Sequence, residues 1–404
     1  MLWLVGGEFF SNLARGLFTL TLGMMLYQIT DGLMAFALAF VSEFVISLLL
    51  QSVSGSVTDR YSPKRILVCA GVLLSGLFLT CAIVQLLFPI SELVTLFILA
   101  IGINLCRPFF RNATFAVIPE ICTKNQYEQI NSYISIALQV GQIFGMVLAG
   151  ILLELSDIRG ILFTVFGCFV AMLLCHCLLR LAPLGAENSA SAHVYPSSWA
   201  ATREFLRKNI FVCSVFLLGS IDYAFIGLFN LVLAPVVEHN FSGADRWLSI
   251  LDIAFATGAI IGATYIARRK RSMGLRLDYT LLSVVAAAMT FLMFWLNAHY
   301  ILILCCIGLF GFGVTLSTVV WSSTLQHLSP HTIKGRLASI RLVCNSLMIA
   351  IATLGASWAE SYSYHSTLIF AVLFALLIIA LAVPLYSSQL ARLSSGISKG
   401  NHYA

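Results

Sequence analysis

The sequence predicts an all-α integral membrane protein with twelve transmembrane helices in two pseudo-symmetric six-helix bundles. Three observations support this fold class. Of the 404 residues, 60% are hydrophobic and 10% are charged, whereas soluble domains are about 45–50% apolar and about 25% charged. Apolar runs of about 20 residues, the length that crosses a bilayer, recur along the whole chain. Short motifs also repeat at about half the chain length.

Twelve apolar runs are long enough to span a membrane, and an even number puts both termini on one side. They lie at about 3–27, 33–57, 66–88, 93–117, 131–153, 161–181, 210–234, 246–267, 278–297, 300–324, 337–358 and 366–387. We therefore divide the chain into an N-terminal six-helix bundle (1–181), a linker (182–209), a C-terminal six-helix bundle (210–389) and a tail (390–404). The linker ends in mixed aromatic and basic residues at 199–208, which predict a short helix along the membrane surface. A plain linker is the alternative.

The basic residues predict the orientation of the chain. Most of the 23 lysines and arginines lie in loops on one side of the predicted spans. By the positive-inside rule those loops, the linker and both termini are cytoplasmic. The net charge of +6 therefore indicates membrane topology rather than nucleic-acid binding.

The two halves of the chain repeat each other. Gly55 opens the loop between spans two and three, and Gly262 stands 207 positions later, before the basic loop between spans eight and nine. Pro119 ends span four, and Pro330 ends span ten, 211 positions later. Two bundles related by duplication, with a binding site near the membrane midplane, are the plan of alternating-access transporters.

The loop Gly55-x-Val57-x-Asp59-Arg60-x-x-x-Lys64-Arg65 resembles the signature between spans two and three of the major facilitator superfamily. Further similarities indicate the branch that holds macrolide efflux pumps and the enterobactin exporter: Ser11-Asn12, Tyr27, Arg107, Pro119-Glu120 and Gly335-Arg336. The likeness covers nearly the whole chain. It departs at Ser62, where a glycine is usual, and in span five, which lacks the proline of the antiporter motif. The resemblance implies a multi-pass, monomeric transporter of the bacterial cytoplasmic (inner) membrane.

The resemblance also implies a gate at the cytoplasmic face. Its residues would be Gly55, Asp59, Arg60, Lys64, Arg65, Gly335 and Arg336. The Asp59 carboxylate can bind the positive N-terminal end of a neighbouring helix or an arginine, and the resemblance gives Arg60 and Lys64 as its ionic partners. A basic loop that only sets the topology is the alternative.

Two pairs of glycines, each four residues apart, predict close contacts between helices. They are Gly141 and Gly145 in span five, and Gly258 and Gly262 in span eight. Spans five and eight meet between the two halves in this superfamily, so the resemblance implies sliding contacts there. Ordinary helix packing is the alternative.

Ionisable residues inside membrane spans are costly and usually functional. The resemblance places spans one, four and seven around a central cavity. The candidates for substrate binding on these spans are Arg15, Asn104, Arg107, Arg111, Asp222 and Tyr223. Planar guanidinium groups suit an anionic ligand. A carboxyl group withdrawn from water can load and release a proton near neutral pH, so Glu8, Glu43 and Asp222 are the candidates for proton coupling. A fixed structural pair such as Arg15–Glu43 is the alternative.

We therefore predict proton-coupled export of an amphipathic, anionic small organic molecule, such as a siderophore, by alternating access. A multidrug or macrolide-type efflux pump and a lysolipid transporter are the alternatives. The sequence has no phosphate-binding loop and no hydrolase motif, which argues against an ATP-driven pump and an enzyme. Cys175-His176-Cys177 lacks the spacing of a metal site. The expected partners are substrate, protons and membrane lipid, with no cofactor, metal or nucleic acid.

Overall fold

The structure, a computed structural model, describes residues 1–30, 34–88, 91–181, 198–241, 246–269 and 277–381. Every regular element in these ranges is helical. The helices are α1 (Leu2–Thr30), α2 (Met34–Arg60), α3 (Pro63–Leu87), α4 (Glu92–Ile121), α5 (Tyr127–Leu155), α6 (Ile158–Leu178), α7 (Trp199–Lys208), α8 (Ile210–Asn240), α9 (Arg246–Ala267), α10 (Leu277–Trp295), α11 (Tyr300–Leu328), α12 (Lys334–Glu360) and α13 (Tyr364–Leu381).

The long helices correspond to the twelve predicted spans, α1–α6 and α8–α13, which confirms the predicted fold class. Within the described residues, eleven helices are long and apolar enough to cross a membrane, and α2, with 27 residues, is the remaining long one. Several helices extend past the predicted apolar runs, since a continuing helix satisfies its own backbone hydrogen bonds. Asp59 and Arg60 therefore lie on the last turn of α2 rather than in a loop.

Local sequence explains where several helices begin. Pro63 is the first residue of α3, a position where its fixed φ is already helical and its missing N–H costs nothing. Asp157 caps α6 by accepting a hydrogen bond from the Gly160 N–H at 3.1 Å. Ser198 caps α7 in the same way. This helix lies where the linker sequence predicts one, whereas 182–197 and the tail at 390–404 lie outside the described residues.

The duplication is visible in the turns between helices. Single-turn 3₁₀ helices precede α5 at Lys124–Gln126 and α12 at His331–Ile333. They stand 207 positions apart, the same offset as Gly55 and Gly262. The two halves thus share a local structural feature as well as a sequence motif.

The contacts divide the chain into two compact units. The first comprises Met1–Leu217, Ala263–Ser272 and Trp321–Ser346, and the second comprises Leu218–Gly262, Met273–Val320 and Leu347–Ala404. The first unit thus holds α1–α7 together with parts of α8, α9, α11 and α12. We call the end of the first unit where α2 ends and α3 begins the basic end, because Arg60, Lys64 and Arg65 lie there.

Aromatic side chains hold each unit together. In the first unit, the Phe78 ring of α3 lies 5.3 Å from both the Phe18 ring of α1 and the Phe169 ring of α6. In the second unit, the Phe229 ring of α8 lies 5.7 Å from that of Phe255 on α9. Such ring pairs bury large apolar surfaces in defined geometry, so they set the positions of the polar side chains between the helices.

Candidate functional site

Glu8 on α1 is the centre of a polar cluster in the first unit. Its Oε1 accepts a hydrogen bond from the Thr114 hydroxyl at 2.7 Å, and the Asn12 amide lies 3.5 Å from Oε2. Glu8 is only 6% exposed, and it lies close enough to Arg111 and Arg15 to interact with both electrostatically. The arginines therefore offset part of the cost of burying the carboxylate.

The predicted arginines form one electrostatic group. Arg15 on α1 interacts with Arg111 on α4, and Arg107 interacts with both. Arg107 and Arg111 are one helical turn apart, and Arg111 is exposed while Arg107 is half-buried. Within the described part of the chain, the Glu8 carboxylate thus interacts with Arg15 and Arg111, and Arg107 interacts with these two arginines. Because like charges repel, an added anion would stabilise this arrangement.

The sequence predicts two other residues of this region, Asn104 and Glu43. Asn104 is 7% exposed, and its amide donates to the Ser42 hydroxyl on α2 at 3.1 Å. Asn104 therefore joins α4 to α2 in this structure, and its role in substrate binding stays a prediction. Glu43 lies on α2, but its side chain is outside the described part of the chain. Its pairing with Arg15 and its role in proton coupling stay predictions.

Asp59 caps α12 from the last turn of α2. Gly335 and Arg336 belong to the first turn of α12, whose N–H groups have no partner inside their own helix. Asp59 Oδ1 accepts from the Gly335 N–H at 2.5 Å, while Oδ2 accepts from the Arg336 N–H at 3.3 Å and from Arg336 Nη1 at 2.8 Å. The Asp59 and Arg336 side chains are 1% and 7% exposed. The carboxylate therefore binds both a helix N-terminus and an arginine.

The ionic partner of Asp59 is Arg336, and the expectation of Arg60 and Lys64 is wrong. Successive helical residues point about 100° apart, so Arg60 points away from the side of α2 that meets α12, and it is exposed. Lys64 and Arg65 lie beyond the turn, on α3. Of the predicted gate, the structure brings together Gly55, Asp59, Gly335 and Arg336.

Two glycines permit the close contact between α2 and α12. A Cβ atom on Gly55 would lie 2.9 Å from the Gly335 carbonyl oxygen, and one on Gly335 would lie 2.6 Å from the Gly55 carbonyl oxygen. Backbone atoms cannot move aside as a flexible side chain can. Any larger residue at either position would push the helices apart and break the cap on α12.

Buried amides extend this contact, and the sequence prediction missed them. Asn112 on α4 is fully buried, and its amide donates to the Ser339 hydroxyl of α12 at 2.7 Å. Gln326 on α11 donates to the Phe115 carbonyl at 3.3 Å, which Pro119 leaves without its helical donor. Amide side chains inside apolar spans are the signal that could have identified both residues, because a polar group in a membrane needs a partner.

The linker helix α7 contacts the same region. The Trp199 indole N–H donates to the Ser56 hydroxyl of α2 at 3.0 Å, and the Arg336 guanidinium carbon lies 5.6 Å from the Trp199 ring centroid. This is the geometry of a cation–π contact. On the exposed side of α7, Lys208 lies 2.6 Å from Glu204, and this hydrogen bond lowers the pKa of Glu204. The first residue of α7 thus touches both helices joined by Asp59.

Asp222, in the second unit, is fully buried among hydroxyl groups. Its Oδ2 accepts from the Ser317 hydroxyl of α11 at 2.5 Å, and that hydroxyl lies 2.9 Å from Thr280 Oγ1 on α10. The prediction that Asp222 lines an open cavity is therefore wrong, because its side chain points between α10 and α11. The neighbouring Tyr223 is half-buried on α8.

The glycines predicted to form sliding contacts pack inside their own units. These are Gly141 and Gly145 on α5, and Gly258 and Gly262 on α9. Cβ atoms on the α5 pair would meet backbone atoms of α1 at Phe9 and Leu13, and those on the α9 pair would meet α11 at Gly308 and Phe312. This corrects the prediction: the small faces of α5 and α9 serve close packing against α1 and α11.

Comparisons with known proteins agree with this architecture. A family model described as Major Facilitator Superfamily matches residues 4–353. The chain is similar to the enterobactin exporter EntS of Escherichia coli O1:K1 / APEC, with 25% identity over 299 residues that cover 70% of this chain and 67% of the exporter.

Solved structures share the fold. A bacterial homologue of the iron transporter ferroportin in an outward-facing state has a TM-score of 0.68 and 16% identity, covering 95% of this chain and 99% of that one. The Escherichia coli fucose:proton symporter FucP has a TM-score of 0.69 and 14% identity, covering 94% and 97%. At these identities the likeness concerns the fold alone.

Proposed function

We propose a function from one established premise: the chain belongs to the major facilitator superfamily. It is a multi-span membrane transporter for a small molecule, and it is not an enzyme. The specific function we infer is proton-coupled export of an amphipathic, anionic organic molecule, such as a siderophore. Export would cross the bacterial inner membrane by alternating access.

The arginine group carries this proposal. Arg15, Arg107 and Arg111 repel one another, since like charges at short range raise each other's energy. An anionic substrate with carboxylate or catecholate oxygens would relieve that repulsion and accept paired hydrogen bonds from the guanidinium forks. A neutral lipophile would supply neither. The name of the curated relative, an enterobactin exporter, supports the same class of cargo.

The contact of Asp59 with α12 is the proposed gate. If the basic end faces the cytoplasm, as the positive-inside rule indicates, this contact closes the cytoplasmic side. Loading substrate from the cytoplasm then requires breaking three hydrogen bonds to one carboxylate. Glu120, at the end of α4, adds an attraction for Lys334 at the start of α12.

Electrostatics favours Asp222 over Glu8 as the proton carrier. Glu8 attracts the same arginines that an anionic substrate would bind. Protonating Glu8 would free those arginines and strengthen anion binding, so proton and anion would travel in the same direction. Export against an inward proton gradient needs opposite directions. Asp222 accepts a hydrogen bond from the Ser317 hydroxyl within the second unit, so we assign the proton to Asp222.

The experiment is transport into inverted vesicles, which expose the cytoplasmic side, with an imposed pH gradient. Cell extract prepared with and without iron starvation is the substrate pool, and mass spectrometry identifies what accumulates. We expect gradient-dependent accumulation of an anionic compound that iron represses. Arg107→Ala should abolish it while membrane insertion stays normal, and Arg207→Ala, at an exposed position of α7, is the matched control.

Other outcomes would contradict specific parts of the proposal. Accumulation of many unrelated lipophiles would make the protein a multidrug pump. Accumulation of lysolipid alone would make it a lysolipid transporter. Full transport by Arg107→Ala would remove Arg107 from the substrate site.

A further inference from the structure

An apolar groove opens on the first unit between α2, α3 and α4, near the basic end. Its volume is about 530 Å³. Tyr61 and Arg65 lie at one end of it, and Leu73 and Leu105 lie at the other. None of these residues belongs to the arginine group or to the contact between Asp59 and α12, so the groove is a separate feature.

The groove has the depth of one membrane leaflet. Arg65 and Leu73 stand eight residues apart on α3, which corresponds to about 12 Å along the helix. Half of a hydrocarbon core of about 30 Å is about 15 Å. Leu73 is 63% exposed and Leu105 is 45% exposed. Such surfaces on a membrane-spanning unit face hydrocarbon, so the groove runs from the membrane surface towards the middle of the bilayer.

The mouth of the groove is positively charged. Arg65 is exposed there, and Arg60 and Lys64 lie on either side of the same turn. The first turn of α3 begins at Pro63 and adds its partial positive charge. Tyr61 is 54% exposed, and tyrosine rings favour the boundary between headgroups and hydrocarbon. The mouth thus suits a phosphate, while the interior suits an alkyl chain.

We propose that this groove binds an anionic phospholipid of the leaflet at the basic end, with one acyl chain inside and its phosphate at Arg65. The positive charge at the mouth of the groove matches the lipid phosphate, and the length of the groove along α3 matches an acyl chain. Val57 on the last turn of α2 and Tyr61 just after its end line the groove, on either side of Asp59. A bound acyl chain would therefore brace the turn that carries Asp59.

The test compares phosphatidylglycerol with phosphatidylcholine of identical acyl chains, added to the delipidated full-length protein in detergent. Native mass spectrometry gives the affinity of each lipid, and a thermal-unfolding scan gives the shift in Tm. We expect tighter binding and a larger Tm increase with phosphatidylglycerol. Arg65→Gln should weaken phosphatidylglycerol binding roughly fivefold, the loss expected for one cation at an anionic lipid surface.

Variants distinguish the contribution of the charged mouth of the groove from that of its apolar interior. Cys69 lines the groove from an exposed position, so Cys69→Trp should fill it and weaken both lipids; Cys69→Phe serves if the larger ring prevents folding. Arg65→Lys keeps the charge and should retain most of the preference. Arg207→Gln, an exposed cation of α7 outside the groove, should change nothing.

Three results would overturn the proposal. Equal affinity for the two lipids would exclude recognition of the anionic headgroup. A Tm shift with sn-glycerol 3-phosphate equal to that with phosphatidylglycerol would identify a site for a free anion. Unchanged binding in Cys69→Trp would place the lipid elsewhere on the protein.

Discussion

Asp59→Asn is the sharpest test of the contact between α2 and α12. The substitution keeps the shape of the side chain but removes its charge. The carboxylate now accepts three hydrogen bonds, from two backbone N–H groups and from the Arg336 guanidinium. Both side chains are nearly inaccessible to solvent, at 1% and 7% exposed, so solvent screening of the pair is weak.

The size of the effect follows from these contacts. A hydrogen bond to a charged group contributes about 1.5–3 kcal/mol, and a charge at a helix N-terminus contributes up to about 2 kcal/mol. Asparagine keeps part of this stabilisation because its carbonyl oxygen still accepts a hydrogen bond from an N–H group. We therefore expect the contact to weaken by roughly 2–4 kcal/mol, which corresponds to roughly a 30-fold to 900-fold shift in the opening equilibrium.

The assay is hydrogen exchange, measured by mass spectrometry on the peptide that carries Gly335 and Arg336. Since exchange follows the opening equilibrium, the amides of these residues should exchange at least roughly 30-fold faster in Asp59→Asn. In inverted vesicles, turnover should fall more than the apparent substrate affinity. The control is Asp157→Asn, which changes an exposed carboxylate that caps α6. Asparagine caps helices as well as aspartate does, so this variant should leave α12 unaffected.

Unchanged exchange and unchanged turnover in Asp59→Asn would show that the contact between Asp59 and α12 does not control opening. Asp59 would then act only as one of the charges near the membrane surface that set the topology of the chain. Faster exchange with normal turnover would confirm the contact and show that opening it does not limit transport.

Three further predictions use other parts of the structure. Asp222→Asn should abolish uphill efflux while substrate exchange continues, whereas Glu8→Gln should tighten anion binding and keep coupling; the opposite pattern would move the proton to Glu8. Gly145→Val should lower thermal stability by roughly 1–3 kcal/mol, because its side chain would meet the backbone of α1; Gly150→Val, which meets no atom within 4 Å, should be neutral, and equal effects would contradict this packing argument. Trp199→Ala should speed exchange at the start of α12 without changing insertion, and an unchanged rate would show that α7 does not stabilise the contact.

Several site residues were predictable because their signals are local. Glu8, Asn12 and Arg15 share a face at helical spacing, and the structure places Glu8 within electrostatic reach of Arg15 and Arg111. Asp59 follows a glycine motif at the end of a span, and general physics already pointed to a helix N-terminus or an arginine as its partner. The structure identified both partners on α12.

Other predictions failed where the partner of a residue lies far away in sequence. The resemblance gave Asp59 cationic partners in its own loop, but the carboxylate pairs with Arg336. The resemblance gave Asp222 a place in the central cavity, but its side chain turns towards Ser317 on α11. The glycines of α5 pack against α1. In each case the residue type indicated a polar or packing role, but the sequence did not show which way the side chain points.

Composition and local patterns were enough to identify a membrane protein, the number of its spans, the duplication and the charged residues available to a transporter. These properties depend on composition and on runs of about 20 residues, which any segment displays without its neighbours. Which face of each helix meets which partner became visible in the packed structure alone. In a soluble helix, the alternation of polar and apolar residues reveals the buried face. In a membrane both the lipid and the protein interior are apolar, so that alternation largely disappears. Helix packing then decides which polar side chains meet.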